Sequence, residues 1–205
     1  MSSLTGVPQG RFIVLEGGDG SGKSTQARLL ADALSAELTR EPGGTPIGEK
    51  IRALVLDPNT PELHARTEAL LMAAARAQHV AELIEPTLAS GTSIVSDRFI
   101  ASSLAYQGVA RGLGIEAVAV ANELALGRVT PDLTILLRVP AAAARDRIER
   151  DLDRIEQASL DDSVVATYAR LAAADPEKWL IIEAVGSIED IHERIRTGVR
   201  ERLGI

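Results

Sequence analysis

Short apolar runs recur along the chain at residues 12–15, 93–96, 133–139 and 179–182, with a weaker one at 36–39. Runs of this length bounded by turn residues predict five buried strands. Between them apolar residues recur every three or four positions, and Ile188, Ile191, Ile195 and Val199 mark one buried face of a final helix. Strand and helix alternate throughout. That alternation implies right-handed crossovers and a parallel sheet covered on both faces, with ligands at the carboxyl ends of the strands.

Local signals place several helix ends. Thr60-Pro61-Glu62 puts a cap before a first-turn proline, and Ser187 with Asp190 reads as a capping box. Residues 62–85 are expected to run as one helix of about 36 Å, ended by Pro86. Gly112-Leu113-Gly114 separates two later helical segments. No internal repeat, low-complexity tract or linker breaks the pattern, so a single domain over residues 1–205 is expected.

Composition narrows the function classes. A chain of 205 residues is long enough for one full core without staples. It has no cysteine, so disulfides and thiolate metal sites are excluded, and a reducing cytoplasmic setting fits. The N-terminus has no signal-peptide pattern and no apolar run reaches spanning length, so no membrane partner is expected. A net charge of -7 and an aromatic content of 2% argue against a nucleic acid partner. His64, His79 and His192 are far apart without ligand-like spacing and are expected in solvated or hydrogen-bonded surface roles.

Candidate chemistry begins after the first strand. Gly17, Gly22, Lys23 and Ser24 fill the pattern G-x-x-x-x-G-K-[ST], with Gly18, Asp19, Gly20 and Ser21 between them and Thr25 continuing into a helix. Such a loop turns successive backbone amides toward a phosphate, and the helix behind it adds its positive end. Lys23 is one of only three lysines in the chain, with Lys50 and Lys178. A second polar cluster, Asp97-Arg98, tips the strand at 93–96. Asp97 suits metal-bound water and Arg98 a second phosphate, the alternative being an internal ion pair. Ser24 is expected to ligate Mg2+ through its hydroxyl. No Asn-Lys-x-Asp guanine-reading segment occurs, which weakens a GTPase reading.

From about Arg11 to the end of the final helix the chain resembles the thymidylate kinases. The likeness rests on the loop at 17–24, on Thr39-Arg40-Glu41-Pro42-Gly43-Gly44-Thr45, on Asp97-Arg98 with Ser102-Ser103-Leu104-Ala105-Tyr106-Gln107-Gly108, on Pro131-Asp132-Leu133-Thr134 and on Asp153-Arg154-Ile155-Glu156-Gln157. The resemblance implies an α/β P-loop nucleoside monophosphate kinase fold, with a five-stranded parallel sheet flanked by helices and a small lid near 143–157. It implies transfer of the terminal phosphoryl group of ATP to dTMP, a requirement for Mg2+, and a homodimer, for which the helical segment at 117–126 could supply a face if it is not ordinary core.

By the same resemblance Arg52 and Arg98 grip the dTMP phosphate, and Arg76 donates to a thymine carbonyl oxygen. Asp19 meets the deoxyribose 3'-hydroxyl and the magnesium. Tyr106 crowds C2', Gln107 reaches the nucleoside and Ser103 bonds the base. On sequence alone Tyr106 also suits core packing, Ser103 a cap and Arg76 a solvated face. Met72, where the family usually offers phenylalanine, shares a helix face with Arg76 and would pack on thymine through sulfur. Phe99 and Arg138 also depart from the usual pattern, and Arg138 leaves a charge that must reach solvent or a partner. The loop has no arginine between Gly17 and Gly22, so the chain resembles the class whose catalytic cations come from the lid, here Arg145, Arg147 and Arg150. Those arginines alternate with acidic residues, which also describes a solvated face. The donor base is placed by resemblance near residues 183–186. The alternatives are a P-loop kinase for another nucleoside monophosphate and a non-catalytic nucleotide-binding switch.

Overall fold

The computed structural model describes residues 10–140 and 162–205. Strand β1, Phe12–Glu16, is buried at every position, and a strand without a solvent face belongs at the centre of a sheet. It pairs in parallel with β3, Ile94–Asp97, on one side and β4, Leu133–Arg138, on the other. The edges are β2, Glu37–Arg40, and β5, Trp179–Glu183, giving the order β2-β3-β1-β4-β5. All five expected strands are present. Register sets Leu15 beside both Asp97 and Ile135, so the carboxyl ends of β1, β3 and β4 open at one level, where the strand order reverses.

The pleat divides the core. Ile13, Leu15, Val95, Leu133 and Ile135 face α1, Lys23–Leu34, and the last helix α8, Ile188–Leu203, where they meet Leu30, Ile191 and Ile195. Phe12, Val14 and Ile94 face the other way, against Val80, Ile84 and Phe99. Ile191, Ile195 and Val199 are buried as expected, whereas Ile188 is 51% exposed at the first turn of α8. The capping box of α8 is formed in both directions: Ser187 Oγ accepts from Asp190 N, and Asp190 Oδ2 from Ser187 N.

Helix α2 spans Pro46–Leu56 and α3 spans Ala65–His79, continued by a π-helical turn at Val80–Ile84 and by α4, Glu85–Ala89. The expected helix at 62–85 therefore starts later and ends later. An Asx turn, in which Asp57 Oδ1 accepts from Asn59 N at 2.8 Å, holds the preceding loop, and His64 rather than Thr60 caps α3. Pro86 does not stop the chain, because after the wide turn it falls in the first turn of α4, where its missing N–H is tolerated. Helix α5, Ile100–Ser103, runs into a second π-helical segment at Leu104–Ala110. Gly112 and Gly114, both at positive φ, separate that segment from α6, Ile115–Leu126. Helix α7 is Asp162–Ala174. None of the described helices is long and apolar enough to cross a membrane.

Candidate active site

Lys23 opens α1 behind Gly22, whose φ of 86° turns the chain and whose lack of a side chain leaves the first amides of the helix uncapped for an anion. Gly17 is needed for close approach: a Cβ there would lie 2.6 Å from Leu137 O of β4. Lys23 Nζ donates to Gly18 O at 2.8 Å and to Ser21 Oγ at 3.4 Å. Burial, with Arg98 adding repulsion, pushes its pKa down to about 8, against the pull of Asp97, Asp19 and Glu16. The ammonium thus waits among neutral oxygens that a phosphate chain can replace.

A cleft of about 1490 Å³ runs across the carboxyl ends of the strands. It is lined by residues 19–25 of the loop and by Arg52, Met72, Arg76, Asp97, Arg98, Tyr106 and Gln107. Gly17 and Gly18 lie behind it, and Ser103 is 1% exposed with its hydroxyl accepting from Arg76, so it supports that arginine from the rear. Gly186, the last residue of the donor-base segment expected at 183–186, lines the same cleft together with Ser187 and Ile188 just beyond it, and Gln26 Nε2 donates to Ile188 O at 2.9 Å. Arg145, Arg147 and Arg150 lie outside the described residues, as does the lid at 143–157.

At the tip of β3, Ser24 Oγ donates to Asp97 Oδ2 at 2.5 Å, while Asp97 Oδ1 is buried without a partner among the described residues. Arg98 does not pair with Asp97. Its Nη2 meets Asp19 Oδ1 at 2.5 Å and the Tyr106 hydroxyl at 3.4 Å, and Tyr106 in turn donates to Asp19 Oδ2 at 3.0 Å. Nη1 reaches Gly17 O, Ser102 Oγ and the Tyr168 hydroxyl at 3.1–3.2 Å. Burial works against the Arg98 charge, but Tyr106, Tyr168, Asp19 and Asp97 outweigh it and hold the pKa above its usual range. Burial also pushes the Tyr106 phenol up, so it stays a donor.

Arg76 is 1% exposed, so neither face of it is solvated. Its Nε meets Glu41 Oε2 at 2.8 Å, Nη1 meets Asn122 Oδ1, and Nη2 meets Ser103 Oγ at 3.0 Å and Phe99 O at 3.3 Å. The Phe99 ring lies under the guanidinium at 5.4 Å, so an apolar ring there packs the arginine from below. His79 corrects the expectation of a surface role. It is 0% exposed, with Nδ1 at 2.9 Å from Glu41 Oε1 and Nε2 at 2.7 Å from Thr39 Oγ1. Gly44, at φ 79°, leaves room for that ring: a Cβ would stand 2.6 Å from His79 Nε2. Arg52 Nη1 donates to Pro42 O at 2.8 Å in the same loop. Gln107 Nε2 donates to Glu68 Oε1 at 3.0 Å, and its Oε1 is buried without a partner among the described residues.

Glu16, Glu41, His79 and Tyr168 are absent from the expected site. Glu16 had one available signal, a carboxylate closing an apolar strand directly before the loop. It is 0% exposed and accepts from Phe99 N at 2.9 Å, Ser102 N at 3.2 Å and Ser102 Oγ at 2.7 Å. Burial drives its pKa up, with Arg98 as the main opposing charge. Arg138 finds the partner its charge needs in Glu183 across the β4–β5 pair.

Residues 15–195 match the family described as thymidylate kinase. A thymidylate kinase of Desulforudis audaxviator is 48% identical over 184 residues, covering 85% of this chain and 83% of that protein. One of Symbiobacterium thermophilum is 46% identical over 200 residues, covering 94% of each. The crystal structure of thymidylate kinase from Ehrlichia chaffeensis superposes with a TM-score of 0.77 at 29% identity, covering 94% of this chain and all of that one. With the phosphate loop, the sheet order and the paired carboxyl-end residues in place, the chain belongs to the thymidylate kinase family.

Proposed function

We infer that this protein transfers the terminal phosphoryl group of ATP to dTMP, giving ADP and dTDP. The observation that carries the reading is the convergence of Lys23 and Arg98 on one cleft, with Asp19 between them. The loop amides and Lys23 take the donor phosphates, and Arg98 with Arg52 takes the acceptor phosphate. That acceptor is a monoester whose second pKa is about 6. Its attacking oxygen is therefore ionised at neutral pH, so orientation and charge neutralisation suffice without a general base.

Base reading fits the buried end of the cleft. The bonds described above commit four of the hydrogens of Arg76 and leave one on Nη1. It suits a thymine carbonyl oxygen, and the open Gln107 Oε1 suits the ring N–H. Met72 offers a sulfur wall, and Tyr106 fills the side where a ribose 2'-hydroxyl would project. Asp19 supplies an acceptor for the 3'-hydroxyl once a phosphate competes for Arg98 Nη2.

The donor set of Ser24, Asp97 and Asp19 fits Mg2+, being all oxygen with one carboxylate oxygen of Asp97 unsatisfied. When bound, the cation offsets charge on the phosphates. Arg145, Arg147 and Arg150 are proposed to supply the remaining positive charge. A homodimer is proposed through α3 and α6, which pack together and expose Leu70, Val120 and Leu124 at 59%, 65% and 95%. A cytoplasmic location fits an enzyme drawing on cellular ATP.

A coupled assay of ADP release with dTMP, dUMP, dCMP, AMP and GMP, run beside Lys23→Ala, tests the reading. Turnover highest on dTMP and lost in the variant is expected. Equal turnover on a purine monophosphate, or ATP binding without acceptor-dependent release, would overturn it.

A further inference from the structure

Tyr168 lies on α7, outside every motif described above, yet its side chain is 1% exposed against the acceptor side of the cleft. Its ring packs among Val55, Leu136 and Ala172, a role phenylalanine would fill equally well. The hydroxyl is the part that needs a reason, because a buried hydroxyl is costly unless bonded. It lies 3.1 Å from Arg98 Nη1 and 2.9 Å from Ser102 Oγ. Glu16 reaches the same serine from β1, at 2.7 Å.

We propose that Tyr168 and Glu16 are positioning residues for the acceptor-phosphate arginine, locking the Arg98 guanidinium through the shared Ser102 hydroxyl. The proposal rests on the assignment of Arg98 to the acceptor phosphate given above.

The hydrogen-bond directions close on a single arrangement. Ser102 Oγ donates its proton to Glu16 Oε2, so the serine oxygen accepts from Arg98 Nη1 and from Tyr168. The tyrosine oxygen is then left to accept from Nη1. One edge of the guanidinium is thereby committed to the protein interior, while the other faces Asp19 and Tyr106 in the cleft. The backbone needs the same help. Arg98 sits at φ 73°, a conformation costly for a residue with a Cβ, and the surroundings hold it there. Its N–H donates to Leu15 O at 2.9 Å, its carbonyl accepts from Ser96 Oγ at 2.8 Å, and Glu16 Oε1 accepts from the amides of Phe99 and Ser102 just downstream. A group that must meet a transferring phosphoryl acceptor within a fraction of an ångström needs this kind of support.

Tyr168→Phe keeps the ring and removes only the hydroxyl. Its kcat/KM for dTMP is expected to fall about ten-fold, the scale of one hydrogen bond to a charged group, with the KM for ATP and the melting temperature near the parent values. Ser102→Ala should cost a similar factor, and the double variant little more than either single one, because all three groups act through one junction. Glu16→Gln tests the other arm with the same readouts and serves in place of Tyr168→Phe if that variant does not fold. Unaltered kcat and KM for dTMP in the positioning variants, beside an inactive Arg98→Ala, would overturn the proposal and leave the acceptor site standing. Near-normal turnover by Arg98→Ala would overturn the acceptor-site assignment and this proposal with it.

Discussion

Arg76 and Glu41 form an ion pair at 2.8 Å whose side chains are 1% and 3% exposed, and the second oxygen of that carboxylate is taken by His79. The pair ties Arg76 of α3, the arginine proposed to read the base, to the loop that follows β2. Removing one member leaves a buried charge without compensation, so Glu41→Ala should lower the unfolding free energy by about 3–5 kcal/mol. Urea denaturation checks this, and a loss comparable to a surface substitution would contradict it.

The base-reading role proposed for the same arginine predicts an order of substrates. A 5-methyl group contributes only about 1–3 kcal/mol, so dUMP should be a poorer but real substrate. Cytosine places an amino group where thymine has its carbonyl, opposite a donor that would then be buried unpaired. The efficiency with dCMP should therefore fall by about 10⁴ or more relative to dTMP. Comparable kcat/KM values for the two would remove Arg76 from base reading.

Lys23 gives stability a pH dependence of defined sign. Its folded pKa of about 8 lies below the ordinary 10.5, so between those values the unfolded chain binds more protons and stability rises with pH. Below pH 8 the cost of the buried ammonium is fully present. The difference in unfolding free energy between the parent protein and Lys23→Met should climb across that window, and a flat difference would contradict the burial argument. Catalysis runs the opposite way: kcat/KM for ATP should fall above about pH 8 as the free enzyme loses this charge.

Among Arg145, Arg147 and Arg150, replaced singly by alanine, at least one is expected to lower turnover by about 10³ to 10⁵, the range of comparable arginine contributions. Single-turnover measurements with dTMP separate chemistry from product release. Near-normal rates for all three would take these residues out of the mechanism.

The exposed strip on α3 and α6 predicts self-association. Leu124→Glu places a charge at a position 95% exposed in the single chain, so the fold should tolerate it while a dimer should not. Sedimentation of the parent as a dimer and of the variant as a monomer is expected. A parent that sediments as a monomer would refute the interface.

Contiguous chemistry was legible in the sequence and dispersed chemistry was not. The phosphate loop is legible because glycine spacing, strand and helix occur together within a dozen residues, and four of the strands because each is a short apolar run, whereas the edge strand β2, Glu-Leu-Thr-Arg, gives only a weak signal. Family likeness points to Arg76, but its partners Glu41, Ser103 and Asn122 lie 35, 27 and 46 positions away and no local period points to them. The burial of His79 is not legible in the sequence, because a lone imidazole at the end of an alanine-rich helix gives no sign of the carboxylate it meets across the fold. Tyr168 was hidden for the same reason, its hydroxyl being spent 66 and 70 positions upstream. The helix boundaries at 65 and 89 shifted because an Asx turn and a π-helical turn changed where Thr60-Pro61 and Pro86 fall.

The left-handed backbone at Arg98 limits how this pocket can be redesigned. Residues that adopt such a conformation at least cost, glycine and asparagine, carry no cation, while other cationic residues inherit the strain without a planar fork to exploit the support around it. Laboratory evolution toward uncharged nucleosides would therefore have to rebuild the walls of Glu16, Ser102 and Tyr168 together with the arginine, and single-site libraries at position 98 should return mostly inactive clones.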